Sequence, residues 1–261
     1  MKLLSRIVES FFFRTDKLPY WHASHFNLNV KSLLVADSHG NRIAGQLLFG
    51  QESHSTVILH CHAGIANMHL HLPQIAFLAQ AGYPVITFDY EGCGISEGTL
   101  CLDRLGAAAQ CIANWVIQQS HLKNVEIIVF GQGLGADAAL QFYNHNKDRT
   151  KAVILESVYL NRKNWLKQHY GPLLGDLMAM LLKVQAPEPG EIIKQIQVPT
   201  FVAYPANDTW AKPHNKNSVL ATLSPSAELF EFPKTEFLTI FTDPSGQNQR
   251  KLLHWLNHNG L

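Results

Sequence analysis

Short apolar runs recur along the chain at intervals that leave room for one helix between most neighbours. They fall at 56–61 (TVILHC), 84–89 (PVITFD), 125–130 (VEIIVF), 151–156 (KAVILE), 198–204 (VPTFVAY) and 227–232 (AELFEF). Runs this short and apolar on both faces suit strands of a parallel sheet covered on both sides, with the intervening segments as crossover helices. Two earlier runs, 28–37 and 42–49, are joined by Ser38-His39-Gly40-Asn41, turn residues at hairpin length. The pattern therefore predicts an α/β protein: an eight-stranded, mostly parallel sheet opened by an antiparallel hairpin, with helices on both faces.

Helix signals agree. Leu105, Ala108, Ala109, Ile112, Trp115 and Val116 recur at helical spacing, Pro73 and Gly82 bracket another helix, and QNQRKLLHWLNH at 247–258 predicts the last. The stretch 157–197 has room for one or two short helices over the sheet's C-terminal edge, and its Pro187-Glu188-Pro189-Gly190 cluster reads as a loop. The expected organisation is an N-terminal segment, 1–27, and one domain, 28–261, carrying a short cap at 157–197.

Residues 1–13 combine Leu3, Leu4, Ile7, Val8 and Phe11 to Phe13 with Arg6 and Glu9. Charge interrupts the apolar residues before they reach the roughly 18 needed to span a bilayer, and no secretory leader is read. Docking on the chain's own domain is the expectation, with peripheral membrane contact through residues 1–13 as the alternative.

Charge and cysteine content narrow the function classes. Of 261 residues, 21 are Lys or Arg and 20 are Asp or Glu, a formal net charge of +1 that offers no basic field to a nucleic acid. Cys61, Cys93, Cys101 and Cys111 form no CxxC pair and are too sparse for a disulfide scaffold, so a cytoplasmic location is expected.

In open α/β sheets ligands bind beyond the carboxyl ends of the strands. Four loops at such ends carry chemistry: His60-Cys61-His62-Ala63-Gly64, DYEGCGISEG at 89–98, Gly131-Gln132-Gly133-Leu134-Gly135, and Ala206-Asn207-Asp208-Thr209-Trp210. Together with LES at 155–157, these segments resemble the α/β-hydrolase superfamily, in particular its serine aminopeptidase and lipase-like branch, over residues 28–258. In that resemblance 60–64 stands for the oxyanion loop and GQGLG for the nucleophile elbow G-x-S-x-G.

The resemblance also implies where the chain departs from a working hydrolase. The elbow residue that would be the serine nucleophile is Gly133; the acid is kept as Asp208; and the place of the histidine base falls at Glu236 or Thr235. No histidine lies between His214 and His254. The triad-equivalent positions are thus Gly133, Asp208 and Glu236. The backbone N–H groups of His62 and Leu134 stand where the oxyanion hole would be and need no side chain. A non-catalytic protein binding a small acyl or carboxylate ligand or a protein partner is expected, with no cofactor and no metal.

Three other readings compete. A displaced nucleophile would be Cys61, Cys93, Ser96 or Ser157, working on an ester or amide. Gly131-x-Gly133-x-x-Ala136 fits a dinucleotide fingerprint, with Glu156 as the ribose-binding acid. His60 and His62 share a strand-end face near His69 and His71, the last two expected at exposed positions, so a metal site is conceivable.

Overall fold

The computed structural model describes residues 2–51, 54–118 and 125–261. In chain order the elements are α1 (Lys2–Glu9), β1 (Arg14–Thr15), β2 (Asn29–Ala36), β3 (Arg42–Phe49), β4 (Thr56–Cys61), β5 (Ile65–Ala66), α2 (Leu72–Gln80), β6 (Val85–Phe88), α3 (Leu105–Gln118), β7 (Glu126–Gln132), α4 (Leu134–His145), β8 (Thr150–Glu156), α5 (Arg162–Leu181), α6 (Pro189–Ile193), β9 (Thr200–Asn207), α7 (Pro213–Leu220), β10 (Ala227–Glu236) and α8 (Gln247–His258).

Eight of these strands form one sheet in the order β10-β9-β8-β7-β4-β6-β3-β2. The hairpin β2–β3 pairs antiparallel from Asn29↔Phe49 to Ala36↔Arg42, β3 pairs antiparallel with β6, and every other neighbour is parallel. This is the α/β-hydrolase fold. Period-two alternation divides the core. On β4, Val57, Leu59 and Cys61 face the layer containing α3 and α4, while Ile58 faces the layer containing α2 and α8; Ile127 and Val129 against Ile128 and Phe130 repeat the division on β7. Strand order reverses between β4 and β7, which opens a crevice at their carboxyl ends.

The cap region holds α5 and α6. Of the Pro187–Gly190 cluster, Pro187 and Glu188 lie in the loop expected there, whereas Pro189 opens α6, and Glu188 and Glu191 close a capping box around its first turn. Arg162, at the start of α5, fastens this region to the body. Its guanidinium is fully buried and grips the Asp137 carboxylate of α4 through Nε and Nη2, both at 2.7 Å, while Nη1 and Nη2 donate to Ala186 O and Pro187 O. One side chain thereby ties both ends of the cap to α4.

The N-terminal segment docks on the domain. Val8, Phe12 and Phe13 are buried, and Arg14–Thr15 pairs in parallel with Ile65–Ala66 just past β4. Phe12 stacks on Trp165 of α5 at 4.5 Å between ring centroids. No helix among the described residues is long and apolar enough to cross a membrane.

Candidate functional site

The site is built where β4, β7, β8 and β9 end. Gly133 follows β7 and opens α4 with φ 54°, ψ −114°, a conformation that strains any residue with a side chain. The turn also needs Gly131 and Gly135 for close approach. A β-carbon on Gly131 would stand 2.3 Å from Gly135 O, and one on Gly135 would stand 1.9 Å from Cys61 O. The GQGLG spacing therefore presses the helix N-terminus against the end of β4.

A β-carbon on Gly133 would stand 2.6 Å from Phe237 Cζ and 3.3 Å from Trp210 Cε2. Phe237 lies nearly parallel to Trp210 at 5.5 Å, Trp210 packs on Trp165 at 4.7 Å, and Trp165 packs on Phe12. This aromatic column extends from the elbow to the N-terminal segment. The sequence pointed to Glu236 or Thr235 as the base-equivalent, but the structure puts neither beside Gly133. Glu236 is exposed and Thr235 Oγ1 donates back to Phe232 O. The residue that reaches the elbow is Phe237.

Asp208 follows β9 as expected. Its Oδ1 accepts from the backbone N–H groups of Trp210 and Ala211, both at 2.8 Å, whereas Oδ2 is buried without a hydrogen-bond partner among the described residues. Burial pushes the Asp208 carboxyl up to about 6. Ser157 and the two backbone N–H groups oppose the rise. Ser157 Oγ is close enough to favour the ionised carboxylate without meeting hydrogen-bond geometry, and it has no other described partner. Ser157 is fully buried and carries φ 54°.

Beneath this runs a chain of buried polar side chains. Thr87 Oγ1 lies 2.9 Å from His60 Nδ1, His60 Nε2 lies 2.8 Å from Gln132 Oε1, Gln132 Nε2 donates to Glu156 Oε2 at 2.7 Å, and Leu238 N donates to Glu156 Oε1 at 3.2 Å. Because Gln132 uses its amide N–H toward Glu156, its oxygen faces His60, which assigns the imidazole proton to Nε2. Burial, with His71 adding, lowers the His60 pKa to about 3; burial raises that of Glu156 to about 7, against hydrogen bonds from Gln132 and Leu238.

Several sequence-level candidates find structural roles here. Ser96 Oγ donates to Asp89 O and accepts from Ala44 N, bracing the 89–98 loop. Gly94 leaves room for Asp89, whose Oδ2 would stand 2.1 Å from a β-carbon there. Cys61 and Cys93 are fully buried, and burial pushes both thiols up, away from the reactive thiolate. Glu156 is turned inward onto Gln132 and Leu238, so it presents no carboxylate to a ribose. His71, expected to be exposed, is fully buried, with Nε2 3.0 Å from Ile65 O. His62 is also buried, its Nδ1 accepting from Gly64 N and its main-chain oxygen from the Tyr90 hydroxyl.

His60, His62, His69 and His71 do not converge on a metal position. Among the described residues the group of three whose ligand atoms lie within 4.8 Å of one another is Asp37, His39 and Glu91, where Glu91 is already paired with Arg104 at 2.6 Å; His62 Nε2 meets only Asp89 Oδ1, at 3.6 Å. Over the oxyanion loop, a β-carbon on Gly64 would meet the Leu134 side chain at 2.7 Å and the Phe13 ring at 3.4 Å. His62 and Leu134 thus flank a loop covered by the N-terminal segment, with Arg14 N donating to Gly64 O at 2.9 Å.

Two residues central to the site, Phe237 and Gln132, escaped the sequence reading. Phe237 was hidden by an irregularity in β10: Phe232 pairs with Pro205 but Glu236 with Asn207, so four steps on one strand match two on the other. Lys234, at φ 59°, lies inside that bulge. Counting residues from the end of ELFEF therefore cannot place the following loop. Gln132 was visible as the middle of Gly131-Gln132-Gly133, but only the strand pairing shows which neighbours it meets.

The comparisons agree with this architecture. The family model for the alpha/beta hydrolase fold matches residues 56–184. The chain belongs to the α/β-hydrolase superfamily. It is similar to the uncharacterized protein YfhR of Escherichia coli K12, 26% identical over 166 residues, covering 60% of this chain and 56% of that protein. It is also similar to the lysophosphatidylserine lipase ABHD12 of Danio rerio, 31% identical over 123 residues, 46% of this chain and 32% of the relative. The chain spans a little over half the length of the YfhR relatives it matches. Among solved structures, an esterase of Pyrococcus furiosus, Pf2001, superposes with a TM-score of 0.76 at 17% identity, covering 95% of this chain and 97% of that one.

Proposed function

We propose that this protein uses the hydrolase frame without acyl transfer and works as a binding or interaction protein. The observation that carries this reading is the contact between Phe237 and the β-carbon position of Gly133. The point from which a nucleophile would attack has no side chain, and an aromatic ring occupies the space beside it. Loss of nucleophile or base costs serine hydrolases about a million-fold in kcat, and here neither a serine nor an imidazole stands at the elbow. The aromatic column favours a protein or surface partner over a small acyl or carboxylate ligand held beside Gly133. A cytoplasmic place is part of this reading, since all four cysteines are free thiols.

The test is a fluorophosphonate probe on the full chain, followed by intact mass. No covalent adduct is expected. A single adduct would overturn the reading, and peptide mapping would name the residue.

One observation favours a second reading. Ser157 Oγ and Asp208 Oδ2 lie beside each other, both buried without a hydrogen-bond partner among the described residues, and Ser157 shares with Gly133 a positive φ of 54°. On this reading the protein is an esterase-like hydrolase, the kind of activity named for Pf2001, with Ser157 as displaced nucleophile once the loop at 236–239 moves aside. The adduct would then map to Ser157.

A further inference from the structure

Helix α1 has two faces. Ser5 and Glu9 turn inward: Ser5 Oγ accepts from Lys183 N at 2.8 Å, and Glu9 Oε2 accepts from Leu102 N at 2.9 Å. Outward stand Leu3, Leu4 and Ile7, continued by Phe11 just past the helix. Helix α5 breaks at Gly171 (φ 77°), and its second half repeats the design. Gly175, Met178 and Ala179 are buried, while Leu173, Leu174, Leu177 and Met180 face solvent.

The two outward stripes run antiparallel and side by side. Ser5 meets Lys183 at one end, and the Phe11 ring packs edge-on to Tyr170 at 5.5 Å at the other. Eight large apolar side chains, between 43% and 89% exposed, therefore form one ridge. Scattered exposed leucines are ordinary; a ridge of this extent marks a contact surface. The core contacts of the two helices are made by their inward faces, through Val8 and Met178 among others.

Charge identifies the occupant. Among the described side chains of α1, α5 and the two residues after α5, the exposed charges are Arg6, Lys163, Lys167, Lys183 and Asp176, and Asp176 is paired with Lys167 at 2.7 Å. Glu9 is buried. The chain as a whole carries only +1, so this excess of cations is local to the ridge. An apolar stripe flanked by lysine and arginine matches the boundary between anionic headgroups and acyl chains, where interfacial helices lie flat. We propose that the α1–α5 ridge docks on the surface of an anionic lipid bilayer. The proposal is independent of whether the elbow is catalytically silent.

The experiment is flotation of the full chain with phosphatidylcholine vesicles, with and without a quarter phosphatidylglycerol. Binding to the anionic vesicles, weakened by added salt and by omission of phosphatidylglycerol, is expected. Ile7→Asp/Leu173→Asp lowers the bound fraction by about tenfold; both positions are at least half exposed, so its unfolding curve stays that of the parent. Absence of binding by the unsubstituted chain would overturn the proposal, as would equal binding by the variant. So would a lipid-free dimer that the variant converts to monomer, which would make the ridge a self-association surface.

Discussion

The ring of Phe237 lies over Gly133 so closely that a β-carbon there would stand 2.6 Å from Cζ. Glycine at this turn relieves backbone strain and makes room for the ring. Gly133→Ser reverses both, at φ 54° and against an aromatic that must leave its stack on Trp210. A loss of about 2 to 4 kcal/mol is expected, with no gain in turnover of a fluorogenic acyl ester. Urea denaturation and an ester assay check the two halves separately, and ester turnover by this single variant would defeat the account.

Asp208 Oδ2 has no hydrogen-bond partner among the described residues, and Phe237 is the side chain nearest the β-carbon position of Gly133. Gly133→Ser/Phe237→His is therefore expected to become reactive toward a fluorophosphonate at residue 133, while each single variant remains unlabelled. Intact mass with peptide mapping reads the outcome. Labelling of Gly133→Ser alone would show that the imidazole is not what was missing.

Glu156 introduces a pH dependence of known sign. Its folded-state pKa, about 7, stands above the ordinary 4.5 because of burial. Between those values the folded chain holds a proton that the unfolded chain has released, so this contribution to stability is complete below pH 4.5 and lost as pH rises through 7. At about 1.4 kcal/mol per pH unit the window amounts to roughly 3 kcal/mol. Glu156→Gln abolishes it, and the stability of the variant relative to the parent should climb by that amount from pH 4.5 to 8. Taking the difference cancels the common effects of Asp89 and Asp208, which pull the same way, and of His60 and His71, which pull oppositely. Urea denaturation across the range decides, and a difference that does not change with pH would refute the assignment.

Removing Arg162 leaves Asp137 buried and unpaired. Arg162→Ala is expected to cost about 3 to 5 kcal/mol, whereas the apolar double replacement Arg162→Met/Asp137→Leu recovers most of that loss. Denaturant midpoints for the two variants make the comparison. Equal losses would mean that the charge pair is not what holds the cap.

Most of the frame was legible because it depends on local pattern. The six apolar runs, the hairpin turn at Ser38–Asn41 and the 247–258 helix follow from periodicity and turn chemistry, and the structure has strands at the runs, the turn between β2 and β3, and α8 at 247–258. What escaped depends on contacts between distant segments. His71 seemed exposed because a polar residue before a helix usually is, but the main-chain oxygen of Ile65 and the packing against His62 draw it inside. Pro189 looked like loop punctuation, yet proline is equally suited to a helix's first turn. Phe237 was displaced from the counted position by the bulge between Phe232 and Glu236, a feature set by pairing with β9.

Thr87, His60, Gln132 and Glu156 occupy four adjacent strands, β6, β4, β7 and β8, and each satisfies the next. Apolar side chains tolerate many alignments of neighbouring strands, but this row tolerates one. Sliding any of the four by a single residue would turn its polar group to the opposite face and strand the others in a greasy interior. The row acts as a key that fits only the correctly assembled sheet, so alternative alignments of these four strands are penalised by buried polar groups left without partners.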